Sequence, residues 1–407
     1  MRTFPTSEVS AMFRRTAGSA ALVVVLVTAL QACGASGDIR TIKGADLGGT
    51  TPGSLVRAET MPQLDRSVIR AGIRAARVSY RSTDASTGKD TVVSGTVFVP
   101  DRDAPAGGWH VVALGHGSTG ILNSCAPSSS PDLAEQAQLV IKLVRLGVAV
   151  TMTDYQGLGE PGVHAYLDSP TAGLNVIDSV RAARATFPGI STTWAAFGGS
   201  QGGGAVWAAN EEAGSYAPEL DLVGVIALAP AADVTGLVDK AVAGTLTADQ
   251  RPTLQWLLAS LERQHPDLDL DHYRRGAAKT YWDTLSTCAG VKDDGGRRQD
   301  AQAEVSNADL APDSPEAAAL LRKALEGWAL PRKPTSAPMF VAYGEKDTFI
   351  DPVWTTRALA RACQQGDVIE AHLDPEGTHA VMNAGDPAQW LADRFAGKPA
   401  KNDCPGA

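Results

Sequence analysis

Ser200 stands in Gly198-Gly199-Ser200-Gln201-Gly202, directly after the apolar run Trp194-Ala195-Ala196-Phe197. This is G-x-S-x-G placed where a strand hands over to a helix. At such an elbow the serine sits in strained backbone at the top of a sheet, with its hydroxyl exposed. The spacing accounts for the glycines, because a side chain two residues before or after the serine would collide with a neighbouring strand or helix. Gly203, Gly204 and Ala205 follow, so the next helix can pack close. A serine hydroxyl is a weak nucleophile at neutral pH. It needs a base within hydrogen-bond reach, and the base needs a third group to orient it. Downstream the chain supplies Asp347 and then His379. The chemistry open to such a trio is attack on an acyl carbon.

Of the seven histidines, His379 is the best-placed base. It follows an apolar run at 368–373 and sits in Gly377-Thr378-His379-Ala380. His372 lies inside that run and reads as structural. His116 lies in Gly115-His116-Gly117 and reads as shaping a loop. Asp347 closes Tyr343-Gly344-Glu345-Lys346 at a strand end, with Asp351 as the second candidate acid and Glu345 the third. A tetrahedral intermediate needs backbone donors for its oxyanion. One is expected from the N–H of Gln201, the residue after the nucleophile. The other is expected from the loop 115–120, with Ser118 as the choice and Gly117 as the alternative. No cysteine and histidine spacing suggests a metal, and this chemistry calls for no cofactor.

Short apolar runs must carry these residues. They fall at 91–100, 111–114, 148–152, 223–229, 339–343 and 368–373, several ending in glycine-rich or polar motifs. Helical stretches such as 133–146 and 173–184 lie between them. Continuous apolar runs alternating with helices predict a mostly parallel sheet covered on both faces, with ligands at the carboxyl ends of its strands. Residues 233–335 break the rhythm. They are helical and charged, with Leu254, Leu257, Leu258 and Leu261 on one helix face. Lying between the run that ends at Pro230 and the run before Asp347, they are expected to form a cap, its leucine face turned to an acyl pocket.

The N-terminus reads as a processing signal. Arg14-Arg15 precede an apolar run at 20–30, with small residues just beyond. Leu30-Gln31-Ala32-Cys33 resembles a bacterial lipobox, although Gln31 departs from the small or β-branched residue usual there. Lipidation of Cys33 would anchor the mature chain to a membrane. The expected organisation is a signal peptide at 1–32, a tether or arm at 33–60, and one catalytic domain at 61–407 with its insertion at 233–335. The expected location is outside a bacterial cell or on its surface. Net charge is −9 with no basic block, which argues against a nucleic-acid partner. Hydrophobic residues make up 44% of the chain and charged residues 20%, which suits a large globular core. Setting Cys33 aside leaves Cys125, Cys288, Cys363 and Cys404, an even number that suggests two disulfides in an exported protein. Three pairings are open.

Serine, acid and histidine in that order along the chain are the α/β-hydrolase arrangement. Several stretches carry a closer resemblance: Gly115-His116-Gly117-Ser118-Thr119-Gly120, Cys125-Ala126-Pro127-Ser128, Asp154-Tyr155-Gln156-Gly157-Leu158-Gly159, the elbow, the Asp347 strand end and Gly377-Thr378-His379. With these the chain resembles the secretory lipase family, the fungal lipase A-like group of α/β-hydrolases. The resemblance implies Ser200, Asp347 and His379 as triad, a helical cap and hydrolysis of acyl esters, triacylglycerols among them. It also implies pairing of Cys125 with Cys288 and of Cys363 with Cys404. Acyl transfer to an alcohol would use the same acyl-enzyme. A serine peptidase on this scaffold is a further alternative, although no propeller-like repeat accompanies it. The non-enzyme alternative is a surface lipoprotein that binds ligand without catalysis. The presence of all three triad residue types argues against it.

Overall fold

The computed structural model describes residues 37–290 and 296–405. The signal segment and Cys33 lie outside the described residues.

Nine strands form one sheet: β1 (Leu55–Glu59), β2 (Ile73–Thr83), β3 (Asp90–Pro100), β4 (Trp109–Gly115), β5 (Ala149–Thr153), β6 (Ile190–Gly199), β7 (Asp221–Leu228), β8 (Met339–Gly344) and β9 (Ile369–Asp374). Their order is β1-β2-β3-β5-β4-β6-β7-β8-β9. The pairings from β5 through β4 to β9 are parallel, and β1, β2 and β3 join antiparallel. The apolar runs read between 91 and 373 fall on strands, to within one residue at their ends. The period of two then sorts their side chains between two cores. Val111, Ala113, Trp194, Ala196 and Val225 pack under the helices Ser169–Thr186 and Gln201–Tyr216. Val112, Leu114, Ala195 and Ile226 pack under Ala137–Arg145 and Pro387–Phe395. Helices therefore cover both faces.

Three local expectations need correction. The stretch read as a tether or arm ends in sheet: β1 buries Leu55 and Ala58, and the Ile42 N–H donates to the Ala58 carbonyl at 2.8 Å. A five-residue edge strand held by backbone bonds leaves little apolar signal. The helix expected from 133 begins at Ala137, because Leu133, Ala134 and Glu135 adopt φ of 58°, 50° and 71°. The helix expected from 173 begins at Ser169, where Asp168 accepts from the Thr171 N–H at 3.1 Å and Pro170 fills the first turn.

Between β7 and β8 the chain makes helices and no strand among the described residues. These helices have their own apolar cluster, which includes Leu254, Leu257, Leu258 and Leu261. Cys125 is joined to Cys288, and Cys363 to Cys404. The second disulfide pins a tail along β9. There the Asp403 N–H donates to the Ile369 carbonyl at 2.7 Å, and the Asn402 and Asp403 side chains accept from the Ile369 and Ala371 N–H groups.

Candidate active site

β6 ends at Gly199, and the elbow helix begins at Gln201. Ser200 between them has φ +57° and ψ −121°, a conformation that costs a residue with a Cβ about 1–3 kcal/mol. Surrounding backbone holds it there. The Ser200 N–H donates to the Leu228 carbonyl at 2.9 Å, and its carbonyl accepts from Ala231 at 3.0 Å. The flanking glycines answer to close approach. A Cβ on Gly198 would lie 2.2 Å from the Gly202 carbonyl oxygen, and one on Gly202 would lie 2.0 Å from that of Gly115.

The chain brings Ser200, His379 and Asp347 together. His379 Nε2 lies 2.9 Å from Ser200 Oγ, and His379 Nδ1 lies 2.7 Å from Asp347 Oδ2. Asp347 is buried, and its Oδ1 accepts from the Phe349 and Ile350 N–H groups at 2.8 and 3.0 Å. One carboxylate oxygen is thus held by backbone while the other faces the imidazole. The carboxylate draws the ring proton to Nδ1 and leaves the Nε2 lone pair for the serine hydroxyl. The other candidates stand apart from this trio. Asp351 caps the helix Pro352–Gln364 and pairs with Lys240 at 2.9 Å. Glu345 is exposed. His372 stacks on Phe340 with ring centroids 4.6 Å apart.

The loop after β4 lies against the elbow. His116 is buried beneath it, its Nδ1 2.7 Å from the Gly117 carbonyl and its Nε2 3.2 Å from the Asp154 carbonyl. Burial lowers the pKa of this ring and favours its neutral form. A trans peptide turns an N–H opposite to the preceding carbonyl. With the Gly117 carbonyl turned to His116, the Ser118 N–H points away from that ring. The Ser118 hydroxyl meets the Tyr166 hydroxyl at 2.7 Å, and burial pushes the Tyr166 phenol up to about 12.

A cavity of about 430 Å³ opens over Ser200 and His379. Its sheet side includes Ala231, Phe349 and Ile350. Its far side is made by Pro252, Thr253 and Trp256 of the helix Gln250–Gln264, and by Arg298 and Gln302 of the helix Arg297–Glu304. The helical insertion therefore stands over the serine as a cap. The leucine face expected to line the pocket does not do so. Leu254, Leu257, Leu258 and Leu261 are at most 3% exposed and pack inside the cap. A cap needs a core of its own, and the more apolar helix face supplies it. The mixed face turns to the cavity. Sequence reading missed Trp256, Tyr166 and Phe349. Each is a lone aromatic outside any motif, and only the fold brings them to Ser200.

The mostly parallel sheet, the strained elbow and the chain order of serine, acid and histidine define an α/β-hydrolase. Residues 128–403 match the secretory lipase family, and the chain belongs to it. A probable inactive lipase of Mycobacterium tuberculosis is 26% identical over 377 residues, covering 86% of this chain and 79% of that protein. A secreted triacylglycerol lipase of Malassezia globosa is 25% identical over 399 residues, covering 86% and 76%. The structure of Candida antarctica lipase A in its closed state is similar with a TM-score of 0.69 at 15% identity, over 88% of this chain and 86% of that one.

Proposed function

We propose that this protein is a secreted serine ester hydrolase. Ser200 is the nucleophile, His379 the general base and then acid, and Asp347 the group that orients the imidazole. The observation that carries the reading is the unbroken relay from Asp347 through His379 to Ser200, with contacts of 2.7 and 2.9 Å. A relative called inactive makes this geometry the deciding point, because a chain that had lost catalysis would have no need to keep a strained serine in register with a buried aspartate. The Ser200 oxygen attacks the ester carbonyl while His379 Nε2 takes its proton. The alkoxide leaves with that proton, and water deacylates the serine by the same route in reverse. The N–H groups of Gln201 and Ser118 receive the oxyanion. Gln201 opens the elbow helix, so its N–H has no partner within that helix. The Gly117 carbonyl, turned to His116, favours Ser118 over Gly117 as the second donor.

Trp256 lines the cavity from the cap side and limits the acyl chain that it accepts. The disulfides Cys125–Cys288 and Cys363–Cys404 suit an oxidising location, and lipidation at Cys33 would keep the protein on the cell surface. The test is covalent labelling with a fluorophosphonate, together with hydrolysis of p-nitrophenyl esters. Wild type is expected to label at Ser200 and turn over. Ser200→Ala is expected to do neither, losing at least about 10⁴-fold in rate, with thermal unfolding unimpaired. Absence of labelling in folded wild type would identify a binding protein instead.

A further inference from the structure

We infer that residues 164–166 act as a splint that positions both oxyanion donors and ties them to the cap. The inference rests on the proposed roles of Ser118 and Gln201, and it adds His164, Tyr166 and Ser260 as positioning residues.

One end of the splint holds the elbow. His164 is buried, and its Nδ1 lies 2.9 Å from the Gln156 carbonyl. A carbonyl only accepts, so Nδ1 carries the proton and Nε2 offers its lone pair. That lone pair accepts from the Gln201 side-chain amide at 3.0 Å. Burial pushes the His164 pKa down to about 4, which keeps the ring in this neutral form at ordinary pH. Gln201 is the first residue of the elbow helix, so holding its side chain fixes the residue whose N–H must meet the oxyanion.

The other end holds the loop after β4. The Tyr166 hydroxyl meets Ser118 Oγ at 2.7 Å. Its ring stands edge-on to Trp256 with centroids 5.7 Å apart. The donors therefore hang from residues two apart on one short segment. That segment is fixed beyond by Asp168, which caps the following helix.

The cap grips the same segment. Ser260 is fully buried in the middle of the cap helix Gln250–Gln264. A mid-helix serine commonly bonds back to its own helix. This one instead donates to the His164 carbonyl and accepts from the Tyr166 N–H at 2.9 Å. A single hydroxyl thus straddles the tripeptide, using a donor and an acceptor. A shift of the cap helix would move His164 and Tyr166 together, and with them both donors. A substrate that seats the cap well would by this route also set the oxyanion site.

The test is a set of variants assayed on a short p-nitrophenyl ester, with kcat, KM and Tm measured for each. Tyr166→Phe keeps the ring against Trp256 and removes the bond to Ser118. It is expected to lower kcat about tenfold, short of the 10²–10³ that follows outright loss of an oxyanion donor, with KM within about twofold of wild type. Ser118→Ala is expected to do the same, and the Ser118→Ala, Tyr166→Phe double variant to be no worse than the worse single, because both act through one bond. Ser260→Ala, away from the substrate, is expected to lower kcat as well. His164→Gln, which keeps an acceptor for Gln201, is expected to retain more kcat than His164→Leu. Additive losses in the double variant would overturn the splint, as would losses confined to KM, or a lower Tm with kcat per folded molecule unchanged. Those outcomes leave ester hydrolysis itself standing. A folded wild type that neither turns over nor labels at Ser200 overturns both readings.

Discussion

On the sheet side of the cavity, Ser200, Asp347 and His379 hang from backbone at the carboxyl ends of β6, β8 and β9. Main-chain bonds fix that backbone, among them Ser200 N–H to Leu228 and Lys346 N–H to Gly377, each at 2.9 Å. On the cap side, the walls are side chains on helices, held through their own side-chain atoms. Trp256 Nε1 donates to the Leu285 carbonyl at 2.8 Å, and the Arg298 guanidinium lies 4.4 Å from the centre of the Trp256 ring. Thr348 reaches across to Asp249 at 2.6 Å. The difference divides the labour. Under the proposed function, backbone geometry would set whether the reaction runs, and side-chain packing what fits. The two are expected to respond separately to mutation, and the splint at 164–166 is the link proposed to carry the position of the cap to the oxyanion donors.

The largest effect that tests this division is at the acid. Asp347→Asn is expected to cut kcat by about 10⁴, because the amide favours the wrong imidazole tautomer. Asp351→Asn, four residues on, keeps the helix cap, removes only the charge paired with Lys240, and is expected to leave kcat near wild type. Comparable losses in steady-state assays of the two would break the comparison on its sheet side. Next comes the cap core. Leu257→Ala and Leu258→Ala are each expected to cost about 2–5 kcal/mol in denaturant unfolding, with the order of preference among acyl lengths unchanged. A changed order would mean that these leucines reach the substrate after all. Smaller in size and opposite in kind is Trp256→Ala. Opening this wall of the cavity is expected to favour longer acyl chains, by up to about 0.8 kcal/mol for each added methylene until the space fills. A parallel fall for every ester would assign Trp256 to packing alone.

The sheet side was largely legible in the sequence, because its constraints are local. The glycines around Ser200 follow from close approach, and each catalytic candidate stands one short motif beyond an apolar run. The cap side was legible only as a helix with an apolar face. Leu254, Leu257, Leu258 and Leu261 showed the stripe, but a stripe does not say which surface it meets. The residues that share its cluster, Leu237 and Leu285 among them, lie on other helices. Tyr166 and Ser260 carried no signal for the same reason, since their partners are 48 and 94 residues distant. β1 was missed because an edge strand is held more by its N–H and C=O groups than by apolar side chains.

The smallest effect concerns Glu211 on the elbow helix, which accepts from the Arg332 N–H at 3.2 Å where the chain returns from the cap. Burial raises its pKa from 4.5 to about 7. The stability tied to its protonation is fully present below about pH 4.5 and is lost as pH rises through 7. Glu211→Gln is expected to melt a few degrees higher than wild type at pH 8, with the gain vanishing at pH 4.5. An equal gain at both pH values would detach the effect from ionisation. Unchanged turnover in this variant would support the separation of stability from chemistry on the sheet side.

The tail alongside β9 bears on how the protein behaves in bulk. An outermost strand is a row of open hydrogen-bonding groups, and open rows recruit one another. Here Asn402 and Asp403 fill those of Ile369 and Ala371, and the Cys363–Cys404 bond keeps them in place. Clipping the chain ahead of Asn402, or reducing that bond, would bare a templating edge and invite self-association into insoluble polymer. Residues 402–404 thus guard this sheet edge against other copies of the chain.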